Sequence, residues 1–241
     1  MNKKTGHIYT GHLHPLSQFT RKVLGAFERM GFELLEGPEI ETVENNFDLL
    51  NIPRYHPARD MWDTFYIDDD KDITSRDKKL LRTHTSPVQI RVMKIKKPPI
   101  RIIIPGRCFR HEATDATHET TFYQLEGLVI DRNIKMTDLI GTLSGFIREV
   151  FGGDIKTQVR PSYFPFVEPG IELSILWKDK WIESLGAGMV HPKVLQNMKL
   201  NPKTWQGFAF GIGVDRLTML YFEIKDIRLF YSSDLRFLSQ F

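Results

Sequence analysis

Two arginines, Arg110 and Arg216, each stand in an apolar, glycine-rich stretch of this chain. A guanidinium taken out of water in such a setting is costly unless an anion meets it, and two of them point to a polyphosphate. Arg110 lies in Gly106-Arg107-Cys108-Phe109-Arg110-His111-Glu112, which is followed by Phe122-Tyr123-Gln124-Leu125-Glu126-Gly127. Arg216 lies in Gly207-Phe208-Ala209-Phe210-Gly211-Ile212-Gly213-Val214-Asp215-Arg216-Leu217. Glu112 is spaced by two from Arg110, so on a strand both face one side, where they could share a ligand or form a structural salt bridge. Gln124 and Glu126 alternate in the same way and offer an ammonium group two acceptors on rigid backbone.

The order Phe-Arg-x-Glu, polar loop, Phe-x-x-x-Glu, then Gly-x-Gly-x-x-Arg resembles motifs 2 and 3 of class II aminoacyl-tRNA synthetases. Arg160-Pro161-Ser162-Tyr163-Phe164-Pro165-Phe166-Val167-Glu168-Pro169 is closer still to the α subunits of the phenylalanyl-tRNA synthetase family. Matching text runs from His14-Pro15 through Glu36-Gly37-Pro38-Glu39-Ile40-Glu41, Asn51-Ile52-Pro53 and His56-Pro57-Ala58-Arg59-Asp60 to the C-terminal Asp234-Leu235-Arg236-Phe237. The resemblance implies an α+β fold, the class II catalytic domain, with an antiparallel β-sheet flanked by helices. It implies ATP-dependent activation of L-phenylalanine to its adenylate and transfer to tRNA(Phe).

Carried onto this chain, the family's roles make Arg110 and Arg216 the catalytic pair. Arg110 would take the α-phosphate, and Glu112 would accept from the adenine amino group. Phe122 would stack on one face of adenine while Arg216 covers the other and reaches the terminal phosphate. In Arg82-Thr83-His84-Thr85-Ser86-Pro87-Val88-Gln89, His84, Ser86 and Gln89 would hold the two ends of the amino acid, together with Gln124 and Glu126. Phe164 and Phe166, spaced by two on an extended backbone, would close edge-to-face on the substrate ring; without the motif they would be ordinary strand core. Ala209 would floor the ring pocket, and Gly186, Gly188 and Gly211 would let backbone approach the substrate. Glu168 would hold Mg²⁺ shared with a β subunit, or form a structural salt bridge. The family associates as an (αβ)₂ heterotetramer, with ATP as substrate, Mg²⁺ as metal, and the editing site on the β subunit. Its members usually carry an N-terminal coiled-coil arm that touches tRNA. Residues 1–241 are expected to be catalytic domain alone, with that arm absent.

Two other readings compete. A ligase-inactive paralogue would tend to lose the arginines or the ammonium acceptors, and Arg110, Arg216, Gln124 and Glu126 are all present. A synthetase for another large amino acid is disfavoured by Phe164, Phe166 and Ala209.

Composition agrees with a globular protein: 41% of residues are apolar and 26% charged, with a net charge of only +3. Basicity is instead local, because Arg91 to Arg110 holds Lys94, Lys96, Lys97, Arg101 and Arg107 and no acid. That run is expected to face an anion, nucleotide or tRNA backbone. One cysteine, Cys108, rules out an intrachain disulfide and suits a reducing compartment, and its strand setting suits packing rather than nucleophilic chemistry. No apolar stretch suggests a signal peptide or a membrane span, so a cytoplasmic location is expected.

The elements that must position these residues follow from periodicity. A helix is expected over 15–30, where Phe19, Val23, Phe27 and Met30 form one stripe and Gly31 ends it. Residues 33–41 read as a long strand broken at Gly37-Pro38, and 68–79 as an exposed hairpin tip between strands. Strands are expected over 100–104, 109–113, 123–131 and 156–163. A helix capped by Thr137 runs to about Phe151. Residues 171–177 and 180–185 form a hairpin around Lys178-Asp179, 192–198 a short helix, and 208–211 a strand handing over to a helix at 213–222. Hairpin-joined strands with few helices between them argue for an antiparallel sheet backed by helices.

Overall fold

The computed structural model describes residues 11–241 except 62, 68–71 and 154. Helix α1 (Pro15–Arg29) opens the fold with proline at its first position, and the His14 ring Nδ1 accepts from the Leu16 amide at 3.2 Å. Gly31 follows at φ +80°, a conformation that glycine adopts at no steric cost, and stops it. Strands β1 (Glu33–Leu34), β2 (Ile40–Thr42) and β3 (Lys79–Leu81) and helix α2 (Pro87–Ile95) come next. Then follow β4 (Ile100–Phe109), β5 (Thr121–Asp131), α3 (Met136–Phe151), β6 (Thr157–Phe164), β7 (Val167–Trp177) and β8 (Lys180–Val190). The chain finishes with α4 (Pro192–Asn197), β9 (Gln206–Gly213), α5 (Val214–Phe222) and α6 (Leu235–Leu238).

Seven strands make one sheet in the order β1-β4-β5-β9-β8-β7-β6, antiparallel throughout except for β1 beside β4, and β2 with β3 forms a separate pair. Side chains alternate across it, so each strand divides its residues between two layers. Leu125, Val129, Phe208, Phe210 and Ile212 point to one face, where α1 and α3 cover them. Phe27 is the centre of that layer, stacked on Phe146 at 4.7 Å and on Phe210 at 5.2 Å. Ile102, Ile104, Leu128, Ile130 and Ala209 point to the other face, packed with Phe47, Leu50, Val88 and Val194. The expected α+β arrangement, a mostly antiparallel sheet flanked by helices, is present. Among the described residues, no helix is long and apolar enough to cross a membrane.

Several local expectations are corrected. Residues 33–41 are not one broken strand: β1 and β2 belong to different sheets, and Arg82 donates to the Gly37 and Pro38 carbonyls that turn the chain between them. The expected strands at 100–104 and 109–113 are one long strand that ends at Phe109, so Arg110 and Glu112 sit just beyond it rather than on it. Helix α3 is secured at its start by Asp138, which accepts from the Lys135 amide at 2.7 Å, not by Thr137. Helix α2 was not expected: it is only nine residues long and buries Val88, Gln89, Ile90, Val92 and Met93 without a clear helical stripe. Of the expected tip at 68–79, residues 68–71 lie outside the described residues; its flanks meet as a single Tyr66–Leu80 bridge.

The basic run is answered from inside the molecule. Arg91 binds the buried Glu41 carboxylate at 2.9 Å, Lys94 donates to Asn45 Oδ1, Lys96 pairs with Glu33 and Arg107 with Glu39, while Arg101 lies over the Phe32 ring. Acids from the segment before β3 therefore pair with three of its cations, and Arg110 is the member that reaches a cavity.

Phe27 joins α1, α3 and β9, so Phe27→Ala is expected to lower the free energy of unfolding by about 3–5 kcal/mol. Urea denaturation measures it, and a loss below about 1 kcal/mol would mean that the helical layer does not hold the sheet.

Candidate active site

Opposite partners in an antiparallel pair share a face, so the register lays the site out in rows. Glu126 lies opposite Gly211, and Gly211 opposite Gly186; Gln124 lies opposite Gly213; Leu128 lies opposite Ala209, and Ala209 opposite Gly188. Glycine beside Glu126 removes the side chains that would otherwise crowd it, and a cavity of 530 Å³ opens above this floor.

Glu126 is nearly fully buried and accepts three hydrogen bonds: from the Thr85 amide at 3.1 Å, from Ser86 Oγ, and from Gln89 Nε2 at 3.2 Å. Ser86 and Gln89 belong to the start of α2, whose helix dipole also favours a negative charge there. Arg82 fixes the approach of this loop by donating to the Arg107 carbonyl at 2.7 Å. Burial nonetheless dominates and pushes the Glu126 carboxyl from an ordinary 4.5 to about 7, with the Ser86 hydroxyl, the Thr85 and Ser86 amides and the Arg110 charge pulling the other way. His84 is buried on the same cavity, and neither ring nitrogen has a well-formed hydrogen bond, although the Asn46 backbone approaches it. Burial and the nearby Arg110 charge hold it down at about 3, so the imidazole is neutral. Gln124 also lines this space, its Oε1 3.5 Å from Cys108 Sγ. Burial raises the Cys108 thiol far above its usual value, which suits packing and not nucleophilic attack.

Phe164 and Phe166 both line the cavity, with ring centroids 5.9 Å apart and planes inclined by 22°. They reach one side because Phe164 ends β6 and Phe166 lies in the tight turn to β7, not because the backbone continues extended. Gly186 is required here, since a Cβ would stand 2.8 Å from the Phe164 ring. Ala209 and Gly211 lie on the cavity wall. Gly188 stands apart: the space over it is filled by Val167 and the Pro169 carbonyl, each within 2.7 Å of a Cβ there. Glu168 also stands apart, with its side chain 74% exposed and 3.3 Å from His191.

A second cavity of 350 Å³ adjoins the first, and Arg110, Glu112, Gln124, Phe164, Gly186 and Gly211 line both. Arg110 holds the Thr83 carbonyl at 3.2 Å, lies 4.9 Å above the Phe122 ring, and comes within 3.8 Å of Glu112. Arg216, in the first turn of α5, lines this cavity and makes no hydrogen bond or ion pair with the described residues. Beside it, Asp215 is buried, accepts from the Tyr123 amide at 2.6 Å and from the Tyr231 hydroxyl, and is pushed by burial from 3.8 to about 6.

Sequence reasoning passed over several contributors. Thr83 and Thr85 act through backbone groups, which residue type does not advertise. Asn46 donates to Thr83 Oγ1 at 3.0 Å from a π-helical turn (Glu44–Asp48) far away in sequence. Glu119 and Glu183 put two carboxylates on the wall of the second cavity, and only the fold brings them together.

Comparison with known proteins matches all of residues 1–241 to the family model "tRNA synthetases class II core domain (F)". The phenylalanine–tRNA ligase alpha subunit of Alkaliphilus metalliredigens is 51% identical over 100% of this chain and 72% of its own length. Those of Herpetosiphon aurantiacus and Dehalococcoides mccartyi are 51% and 52% identical, each over 96% of this chain and 70% of theirs. Among solved structures, pyrrolysyl-tRNA synthetase from Desulfitobacterium hafniense superimposes with a TM-score of 0.69, covering 92% of this chain and 75% of that one, at 18% identity. That last likeness is one of fold.

A carboxyl raised from 4.5 to about 7 by folding favours the folded state fully below pH 4.5, and that contribution is lost as pH rises through 7. The loss is of order 3 kcal/mol. Asp215 adds a fall of the same sign between 3.8 and about 6. Glu126→Gln is therefore expected to flatten, without abolishing, the decline in stability between pH 4.5 and 7.5. Denaturation midpoints across that range measure it, and an unchanged slope would show that Glu126 ionises normally.

Proposed function

Because the chain belongs to the class II tRNA synthetase core family, and within it to the phenylalanine–tRNA ligase α subunits, we propose that its paired cavities bind phenylalanine and ATP side by side. The function is ATP-dependent activation of L-phenylalanine followed by transfer to tRNA(Phe). The observation that carries the division of labour is Glu126, a buried carboxylate supported by neutral donors on the wall of the larger cavity, opposite Gly211, which lines both. It lacks only a cation, and the substrate ammonium supplies one. Gln124 adds a second acceptor, and the orphaned nitrogens of neutral His84 await a polar partner. Phe164, Phe166 and Ala209 enclose the ring.

Activation brings two anions together: the amino-acid carboxylate attacks the α-phosphate of ATP, and pyrophosphate leaves. Arg110, placed between the cavities, screens that approach and stabilises charge on the α-phosphate, while Arg216 holds the terminal phosphate. For adenine to stack on Phe122, the Arg110 guanidinium must leave the face it now covers and turn toward the phosphates. Glu112 then accepts from the adenine amino group. Mg²⁺ fits this cavity, since it is held by one or two carboxylates together with substrate phosphates, and Glu119 and Glu183 stand on the wall. Bound there it would neutralise charge on the leaving pyrophosphate. Glu168 lies outside both cavities, so an ion held by it belongs to a subunit boundary rather than to the reaction.

The α-subunit relatives support a β partner, and the proposal extends to an (αβ)₂ assembly working in the cytoplasm. Phenylalanine-dependent ATP–pyrophosphate exchange, with this chain alone and with β subunit added, tests the whole. Exchange only with the β subunit is expected; none in either case would refute ligase function. Arg110→Ala is expected to lose at least about 2.7 kcal/mol of transition-state stabilisation, roughly a hundredfold in rate, and near-normal exchange would remove Arg110 from the mechanism. Ala209→Gly deepens the ring pocket and is expected to admit para-chlorophenylalanine; continued exclusion would show that Ala209 is not the floor.

A further inference from the structure

Asp215 does more than neighbour Arg216. One of its oxygens takes the backbone amide of Tyr123 at 2.6 Å, and the other takes the hydroxyl of Tyr231. Tyr123 stands on β5 between Phe122 and Gln124, so this bond fixes the strand where the adenine-stacking ring departs. Arg216 is the next residue along α5, so the same carboxylate fixes the helix turn from which the other face of the slot is built. Tyr231 belongs to the C-terminal segment, just after the 3-10 turn Ile227–Phe230. That turn reaches the loop before β5, where the Ile227 amide donates to the Ala116 carbonyl at 2.9 Å, and the buried Ile227 side chain lines the nucleotide cavity. It is held from behind by the His14 ring, whose Nε2 lies 3.0 Å from the Phe230 carbonyl. Three separate pieces of the nucleotide cavity thus meet at one hydrogen-bonded pair.

We infer that the Tyr231–Asp215 hydrogen bond is a positioning brace that sets the width of the slot between Phe122 and Arg216, making Tyr231 a determinant of ATP affinity although it lines neither cavity. The inference rests on the nucleotide assignment made above. A buried carboxylate needs both donors, and losing one leaves it free to move with Arg216. The amino-acid cavity is insulated, because Glu126 is tethered independently by the loop before α2.

The test compares unmodified protein, Tyr231→Phe and Phe237→Leu, each with its β subunit, by exchange kinetics, calorimetric ATP titration and thermal melting. Phe237 packs on Phe230 and Phe241 in the same C-terminal cluster but itself lines neither cavity, and controls for simple loosening. Tyr231→Phe is expected to weaken ATP binding and raise the KM for ATP about tenfold, as for a lost hydrogen bond to a charged group, with the KM for phenylalanine unchanged. Phe237→Leu is expected to lower the melting temperature and leave both KM values alone. ATP affinity within twofold of normal in Tyr231→Phe, an equal rise in both KM values, or an equal effect from Phe237→Leu would each overturn the brace. Absence of exchange in the unmodified protein would count against the ligase assignment instead, while the calorimetric affinities would still decide the brace.

Discussion

Taking the Glu126 carboxylate out of water in the middle of a sheet costs several kcal/mol unless something compensates, and here the compensation comes from neutral donors and a helix start. The donors are an amide, a hydroxyl and a carboxamide, contributed by the short loop entering α2 and by the helix's first turn. They are sufficient to orient the group but not to overcome burial, which leaves its proton affinity near neutrality. Such a site is unfinished in the sense that matters for recognition: a ligand bearing a cation completes it, and a neutral isostere does not. Much else in the fold serves this condition. Glycines on β8 and β9 clear the floor, Arg82 anchors the loop, and α2 is set with its positive end toward the carboxylate.

The same loop also ties the two halves of the chemistry together. Its Thr83 carbonyl holds Arg110, while its Thr85 amide and Ser86 hydroxyl hold Glu126, so cation and anion are positioned from opposite sides of one backbone turn. Charge is therefore separated along the site, negative at Glu126 and positive at Arg110. On the proposed assignment a zwitterionic amino acid would lie along that gradient with its carboxylate toward Arg110. Its orientation would then follow from the fixed charges, and effective concentration at the reacting phosphorus from its orientation. Arg216 has no ion pair among the described residues, which leaves its charge free for a ligand.

Legibility in the sequence divides along physical lines. Arg110, Phe122, Gln124, Glu126, Phe164, Phe166, Ala209 and Arg216 could be named because their chemistry lies in side chains and their order resembles a family pattern. The antiparallel sheet was legible for the same reason, with hairpins at Lys178-Asp179 giving clear punctuation. What could not be read was pairing across distance. The run from Arg91 to Arg107 looked like an anion-binding surface because its partners, Glu33, Glu39 and Glu41, lie fifty or more positions away. Helix α2 was missed because its buried face packs on a π-helical turn that no periodicity announces. Gly188 looked like its neighbour Gly186, yet one serves the hairpin beneath and the other the Phe164 ring; only the strand register tells them apart.

The apolar end of the amino-acid cavity sets a limit on what this chain can do alone. Phe164, Phe166, Val190, Val194 and Ala209 offer a ring only shape and dispersion, and such walls reject an added hydroxyl by only about a hundredfold. Stronger rejection would need a buried polar group that the added hydroxyl leaves unpaired or crowds. His84, the buried polar side chain with unsatisfied nitrogens on this cavity, sits beside the Phe166 ring, 6.5 Å between centroids. Were it to face the para position it could accept a phenol as readily as exclude one, so neutrality at that nitrogen is no safeguard. Fidelity between phenylalanine and tyrosine must then come from a hydrolytic step at another site, one small and polar enough to favour the hydroxylated product. If the cavity takes an unsubstituted ring as proposed, its apolar walls call for that separation of labour, and the family resemblance puts the second site on a β partner.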